Sequence, residues 1–185
     1  MPTRQPVDST ATPSPTAQDG TGLNLRLVDL EGQATGRLLL AAIPGRGRDL
    51  AADMAQISAQ SVSRILCLVE ADELRRLSPD YADFCDTADD ARPAVTHHPI
   101  SDLDIPRDLE RYRSVTNQTA EHLKAGETVL VHCAAGIGRT GMTAIAVLCA
   151  LGLDGDAARQ RVAKAGAGPE TPEQKAFLRE LVGTC

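Results

Sequence analysis

The chain has 185 residues, a length that suits one domain with a substantial core. Its net charge of −6 disfavours nucleic acid and anionic membranes as main partners, because both attract a basic surface. No apolar run is long enough to predict a membrane-spanning helix. The five scattered cysteines do not resemble a disulfide framework, so we expect a cytoplasmic protein.

Residues 1–21 are rich in Pro, Thr, Ser and Gln and contain almost no large apolar side chains. Such a segment cannot bury enough surface to offset the entropy of ordering it, so we predict a disordered tail. One folded domain is predicted over residues 22–185. The tail has no apolar stretch typical of a secretory signal, and its role, including secretion, is left open.

From residue 22 onward, strand-like and helix-like segments alternate. Asp49 is placed to cap a first helix, and Pro106 is placed to open a long one. The alternation predicts an α/β fold, with a central, mostly parallel sheet flanked by helices on both faces. Strands are predicted over 25–30, 37–43, 64–70, 94–100 and 127–133; helices are predicted over 50–60, twice within 71–90, and over 106–124, 139–151, 154–165 and 171–182.

The segment VHCAAGIGRTG, residues 131–141, lies between a predicted strand and an apolar helix and fits two phosphate-binding patterns. Its glycines have the G-x-G-x-x-G spacing of a dinucleotide-binding turn. That fingerprint requires another strand after its helix, but the sequence beyond residue 151 is helical. The dinucleotide interpretation also gives no role to Cys133 or Arg139.

The C-x5-R spacing of Cys133 and Arg139 gives every loop position a function. The loop can curl so that its N–H groups converge on a phosphate, and the following helix presents its positive end to the same place. Arg139 is predicted to hold two phosphate oxygens, and Cys133 is predicted to be a thiolate nucleophile. The predicted phosphate-binding residues are Ala134, Ala135, Gly136, Ile137, Gly138 and Arg139. Supporting roles are predicted for the Thr140 hydroxyl, which would donate to the sulfur, and for His132, which would hold neighbouring backbone.

This segment resembles the His-Cys-x5-Arg-Thr signature of the protein tyrosine phosphatase superfamily. Residues from about 35 to 182 resemble its compact dual-specificity members, and most of all the kinase-associated phosphatase group. The stretch HHPISDLDIP is similar to the general-acid loop of the superfamily, which implies that Asp102 is the general acid and that Asp104 is its competitor. ETPEQ resembles the water-positioning run of relatives, with Glu170 at the first Gln position and Gln174 in a supporting role at the second.

The resemblance implies a phosphatase that forms a phosphocysteine and needs no cofactor. The expected substrate is a phosphorylated protein, with Tyr, Ser and Thr all open, and we expect a monomer. An inositol phosphate or phosphoinositide phosphatase is one alternative, although its loop would usually carry extra Lys where this one has uncharged residues. A phosphate-binding module without turnover is the other, although it would most simply lose Cys133, Arg139 or Asp102.

Three further expectations concern single residues. His97 and His98 are adjacent on a strand, so they point to opposite faces and would not meet one metal. Tyr112 is expected on a solvated helix face. Cys67, in the strand next to the one that ends at Cys133, is expected to lie beneath the loop. Simple core packing is the favoured interpretation, and a role as redox partner of Cys133 is the alternative.

Overall fold

A computed structural model describes residues 22–87 and 92–182, so the predicted disordered tail lies outside the described residues. Five strands form one sheet: β1 (Arg26–Val28), β2 (Arg37–Ala42), β3 (Arg64–Cys67), β4 (Ala94–His97) and β5 (Thr128–Cys133). Their order across the sheet is β1-β2-β5-β3-β4. β1 is antiparallel to β2, and the other three pairs are parallel. The mostly parallel sheet confirms the predicted α/β class.

Seven helices cover the sheet, and most begin where the sequence predicts. The Asp49 carboxylate accepts a hydrogen bond from the Ala51 N–H at 3.0 Å and so caps the first helix as predicted. The fourth helix begins at Leu109 rather than at Pro106, because Asp108 accepts from the Arg111 N–H at 2.9 Å and sets the first turn. The helices are α1 (Leu50–Ala59), α2 (Ala71–Leu77), α3 (Pro79–Asp86), α4 (Leu109–Lys124), α5 (Gly138–Ala150), α6 (Gly155–Lys164) and α7 (Pro172–Val182).

The alternation of side chains along β2 divides the core into two layers. Leu38 and Leu40 join the larger apolar cluster, with residues of α4, α5, α6 and α7. Leu39 points to the opposite face and packs against Ile57 of α1. Tyr112 was expected in solvent but is fully buried in the larger cluster, where its hydroxyl donates to Thr143 Oγ1 at 3.3 Å. The helices therefore lie on both faces of the sheet.

β5 is the central strand, and all six of its residues are buried. Because β2, β5 and β3 are parallel, the segments that follow them leave the sheet at the same edge. These segments are the turn after Ala42, the loop after Cys133 and the start of α2. No helix within the described ranges is long and apolar enough to cross a membrane.

Candidate active site

Cys133 is the last residue of β5 and only 2% of its surface is exposed. The Gly136 N–H donates a hydrogen bond to Cys133 Sγ at 3.2 Å. The chain therefore folds back over the sulfur within three residues and reaches α5 at Gly138. This strand–loop–helix arrangement is the one that the sequence predicts.

The carbonyl groups of the loop point away from its centre. The Ala134 carbonyl accepts from the Ile43 N–H at 3.3 Å, and the Ile137 carbonyl accepts from the Gly168 N–H at 3.2 Å. The Gly136 carbonyl accepts a hydrogen bond from the guanidinium group of Arg26 in β1. Since the C=O and N–H of one trans peptide point in opposite directions, the linked N–H groups turn toward the concave side. Those N–H groups belong to Ala135, Ile137 and Gly138.

One glycine of the loop and one of α5 are required by geometry. Gly136 has φ +76°, and a Cβ there would overlap the backbone of Ala41. Gly141 lies where α5 touches the connection after α6, and a Cβ there would overlap the backbone of Gly168. The glycine spacing that suggested a dinucleotide turn therefore serves the tight loop and the close packing behind it. No strand follows α5 in the described chain.

Arg139 lies in the first turn of α5 and is 2% exposed. Its Nη1 and Nη2 donate to the two carboxylate oxygens of Glu73 at 2.7 and 3.0 Å. Nη1 also donates to the Ile100 carbonyl at 2.9 Å. The pKa of Glu73 is lowered, first because Arg139 donates hydrogen bonds to it. The guanidinium is thus fixed in one plane beside the loop.

Glu73 is a site residue that sequence reasoning missed. It lies in the first turn of α2, which follows β3. This is the same sheet edge as the loop of residues 133–138, which we call the phosphate loop. The one signal in the sequence was the cluster of acids directly after a buried parallel strand. Residues in that position gather at the carboxyl edge of the sheet, where sites form in open α/β folds.

The structure separates the two candidates for the general acid. Asp102 Oδ1 lies 2.9 Å from Arg139 Nη2, and the Asp102 side chain is 66% exposed. Asp104 instead accepts from the Ile105 N–H at 2.8 Å. Leu103, which lies between them, has φ +61°, an unusual value for a residue other than glycine. The geometry therefore brings Asp102, not Asp104, to the mouth of the loop.

His132 and Thr140 flank the loop within the core. His132 Nε2 is hydrogen-bonded to the Tyr81 hydroxyl at 2.9 Å, and burial is the main reason that the pKa of His132 falls to about 4. The imidazole is therefore neutral at physiological pH. Thr140 Oγ1 is buried and has no hydrogen-bond partner among the described residues, so its predicted bond to the sulfur is not formed in this structure.

Gln174 is fully buried beneath the acid loop, the segment of residues 98–106 that contains Asp102 and Asp104. Its Nε2 donates to the Asp104 carbonyl at 3.1 Å, and its Oε1 accepts from the Glu170 N–H at 2.9 Å. The exposed Glu170 carboxylate, in contrast, packs against Gly138 at the edge of the loop. Gln174 thus links the segment before α7 to the acid loop, with one end of its amide bonded to each. Glu170 is the residue of this run that faces the phosphate loop.

The structure does not bring Cys67 to Cys133. Cys67 is in register with His132, so its side chain lies on the same face as the His132 ring, and Cys133 points to the other face. Accordingly, Cys133 joins the larger apolar cluster and Cys67 joins a cluster with Tyr81. Cys85 packs against the cluster that contains Cys67, and its thiol raises the pKa of Cys67.

Comparison with known proteins agrees with this geometry. A family model described as "Tyrosine phosphatase family" matches residues 51–161, and no curated protein matches the chain. The matched segment includes β3, the acid loop, the phosphate loop and α5. Since it covers more than half of the sequence, the chain belongs to the tyrosine phosphatase family.

Solved structures of phosphatases have the same fold. A kinase-associated phosphatase with its catalytic-site cysteine changed to serine is 20% identical, with a TM-score of 0.73 over 90% of this chain and 99% of that chain. The active form of Tk-PTP is 26% identical, with a TM-score of 0.64 over 83% and 99%. PTPMT1 in complex with PI(5)P is 18% identical, with a TM-score of 0.61 over 82% and 93%. These likenesses cover most of the domain, so its fold is that of compact phosphatases.

Proposed function

We propose that this chain hydrolyses phosphomonoesters through a phosphocysteine on Cys133. The observation that supports this most directly is the convergence on one loop of three groups that the reaction requires. The sulfur receives a hydrogen bond from the Gly136 N–H at 3.2 Å, and Arg139 stands beside the loop with Asp102 at 2.9 Å. A nucleophile, an anion cradle and an acid are the elements of nucleophilic phosphoryl transfer.

A phosphoryl group in this loop would accept from the inward N–H groups and from Arg139. One edge of the guanidinium is already taken by Glu73. We expect Nε and Nη2 to hold two phosphoryl oxygens, with Asp102 giving up its contact to Nη2. The released carboxyl group then lies beside the leaving oxygen. Because these donors are fixed before substrate arrives, they stabilise the transition state without reorganisation.

The reaction then has two steps. In the first, the Cys133 thiolate forms a bond to phosphorus, the bond to the leaving oxygen breaks, and Asp102 donates its proton to that oxygen. In the second, Asp102 takes a proton from a water molecule, whose oxygen attacks phosphorus. The phosphorus–sulfur bond breaks and returns the thiolate, and inorganic phosphate leaves. No cofactor is needed to balance either step.

The surroundings of the loop support a phosphorylated protein as substrate. The variable loop positions carry no charge, whereas a ligand with several phosphates would call for extra cations there. Ile137 in the loop is 40% exposed, and Leu103 beside Asp102 is 54% exposed. These two apolar side chains suit the side chain of a phosphorylated residue more than a polyphosphorylated ring. We further propose that the protein acts as a monomer in the cytoplasm.

Single-turnover assays with a generic aryl phosphate test the proposal. Wild type should release one equivalent of the aryl alcohol rapidly. Cys133→Ser should abolish this release and still bind inorganic phosphate in calorimetry, since the N–H groups and Arg139 are untouched. Arg139→Lys should lose both the release of aryl alcohol and the binding of inorganic phosphate, because a single ammonium group cannot replace the planar guanidinium. Turnover by Cys133→Ser at a tenth of the wild-type rate would show that the nucleophile is another group.

A panel of substrates tests the substrate class separately. Phosphopeptides carrying phosphotyrosine, phosphoserine or phosphothreonine should be hydrolysed with higher kcat/KM than inositol phosphates or phosphoinositides in vesicles. The opposite ranking would leave the phosphocysteine mechanism intact and would identify the chain as an inositol-directed phosphatase. Phosphate binding without turnover of any substrate would identify a binding module.

A further inference from the structure

Arg26 connects the edge strand β1 to the phosphate loop. It lies on β1, which is antiparallel to β2, and its side chain is half-buried. Nη1 donates to the Gly166 carbonyl at 2.6 Å, and Nη2 donates to the Gly136 carbonyl. One guanidinium therefore holds the phosphate loop and the turn after α6 together.

The orientation of the Gly136 carbonyl decides where the next N–H group of the loop points. Gly136 has φ +76° and no side chain, so little besides hydrogen bonds fixes the orientation of its peptide groups. Its own N–H donates to Cys133 Sγ, and its carbonyl shares a peptide with the Ile137 N–H. If that peptide turned over, a carbonyl oxygen would point at the phosphate and one donor would be lost. The bond from Arg26 opposes this change.

The charge of Arg26 also acts on the site. Burial lowers the pKa of Arg26, whereas the nearby Cys133 opposes that shift, so guanidinium and thiolate attract one another. Both hydrogen-bond acceptors of Arg26 are neutral carbonyl groups. Among the residues that the structure describes, no carboxylate forms an ion pair with it. Its positive charge therefore remains uncompensated behind the loop.

We propose that Arg26 is a positioning residue of the phosphate loop, which fixes the Gly136 carbonyl so that the neighbouring N–H groups face the anion and which places an uncompensated positive charge behind Cys133. This inference rests on the proposed function of the loop as a phosphate site. It assigns an active-site role to a residue that lies outside the signature sequence and 110 positions before Gly136.

A neighbouring arginine provides the matched control. Arg161 of α6 bridges the same part of the fold, since it donates to Asp29 Oδ2 at 2.6 Å and pairs with Glu31 just after β1. Among the described residues, it forms no hydrogen bond or ion pair with the phosphate loop. Arg161→Met therefore removes ion pairs between α6 and the residues just after β1. The hydrogen bonds of the phosphate loop are unchanged.

The test compares Arg26→Met, Arg26→Lys and Arg161→Met with wild type. Phosphate binding is measured by calorimetry, and the alkylation of Cys133 by iodoacetamide is followed as a function of pH. Arg26→Met should bind phosphate about 10- to 100-fold more weakly, the range for losing one charge-assisted hydrogen bond, and its alkylation curve should move to higher pH. Arg26→Lys should keep the wild-type alkylation curve, because it keeps the charge, but should bind phosphate less tightly. Arg161→Met should match wild type in both measurements.

Unchanged phosphate affinity and an unchanged alkylation curve in Arg26→Met would overturn the proposal, even if its thermal stability fell as in Arg161→Met. If Arg26→Met does not fold, wild-type phosphate affinity in folded Arg26→Lys overturns it equally. Neither measurement requires turnover. If wild type binds phosphate and hydrolyses no substrate, the proposed function fails, and weaker binding by Arg26→Met still supports the role of Arg26.

Discussion

Arg139 and Glu73 form a two-point ion pair, in which Nη1 and Nη2 donate to separate carboxylate oxygens at 2.7 and 3.0 Å. The pair lies at the carboxyl edge of the sheet, and Arg139 is 2% exposed. A side chain as long as that of arginine loses rotational freedom about several bonds when it binds phosphate. The ion pair with Glu73 already restricts this freedom before phosphate binds. In the proposed mechanism, Glu73 therefore acts on the substrate through Arg139.

Glu73→Gln should lower kcat/KM for an aryl phosphate by about tenfold or more, because hydrogen bonds to charged groups contribute about 1.5–3 kcal/mol each. The affinity for inorganic phosphate should fall in parallel. Asp72→Asn removes the same charge from the same helix turn, on an exposed side chain, and serves as the control. Equal effects of the two variants would mean that Glu73 acts only through the general charge of α2.

Asp102→Asn should lower kcat by about 10²–10⁴ for substrates with poor leaving groups, the usual contribution of a positioned general acid. The loss should be much smaller for a nitrophenyl ester, whose leaving group departs without a proton. The measurement is a series of aryl phosphates ranked by leaving-group acidity. Asp104→Asn is the control, because its carboxylate is engaged with the Ile105 N–H. A stronger dependence on the leaving group in Asp104→Asn would assign the acid to Asp104.

Much of the fold follows from local patterns in the sequence. The alternation of apolar strands with amphipathic helices places every strand and helix, and Cys133, Arg139 and Asp102 lie in short motifs. Strand ends were less accurate: the prediction continued β3 to residue 70, but the strand ends at Cys67. Leu68 and Val69 are fully buried although they lie beyond Cys67, so hydrophobicity does not mark where the strand ends.

Long-range contacts in the site could not be predicted in this way. Glu73 and Arg139 are 66 positions apart, and their contact depends on how β3 and β5 align in the sheet. Cys67 is the opposite case, in which the sequence predicted a contact that the structure does not contain. The sequence places it on the neighbouring strand, but only the register shows that it faces His132 and turns away from Cys133. Shifting one strand by a single residue would reverse that result.

His132 should make the stability of the protein depend on pH. Its pKa falls from an ordinary value of 6.5 to about 4, mainly through burial. Between these values the unfolded chain binds a proton that the folded chain does not, so stability is lost as the pH falls from 6.5 toward about 4. The loss should total about 3 kcal/mol, at about 1.4 kcal/mol per unit.

Urea unfolding at a series of pH values measures this loss. Because carboxyl groups also titrate in the acidic range, the comparison is between wild type and His132→Asn, which lacks the titrating ring. The difference between their unfolding free energies should shrink as the pH falls below 6.5. A constant difference across this range would show that the pKa of His132 is the same in the folded and the unfolded protein.

Gln174→Met should destabilise the protein by about 1–3 kcal/mol, because it leaves the Glu170 N–H and the Asp104 carbonyl without their partner. Since Asp104 belongs to the acid loop, the variant should also lose part of the general-acid effect. Its kcat should therefore fall more for poor leaving groups than for nitrophenyl phosphate. Lys175→Met, on the exposed side of the same helix, should change neither quantity. A stability loss with uniform kcat values would limit Gln174 to a role in folding.

The arrangement of Cys67 predicts the outcome of mild oxidation. The neighbouring Cys85 thiol, together with burial, raises the pKa of Cys67, while the Cys67 thiol lowers the pKa of Cys85. Hydrogen peroxide can oxidise one thiol to the sulfenic acid with release of water, and the second thiol then displaces another water to form a disulfide.

Peptide mapping should find any such bond of Cys67 with Cys85 and none with Cys133. Cys67→Ser should consequently lose activity in peroxide at the wild-type rate, since Cys67 does not protect the nucleophile. A Cys67–Cys133 disulfide, reversed by dithiothreitol and accompanied by faster irreversible inactivation of Cys67→Ser, would contradict the sheet register.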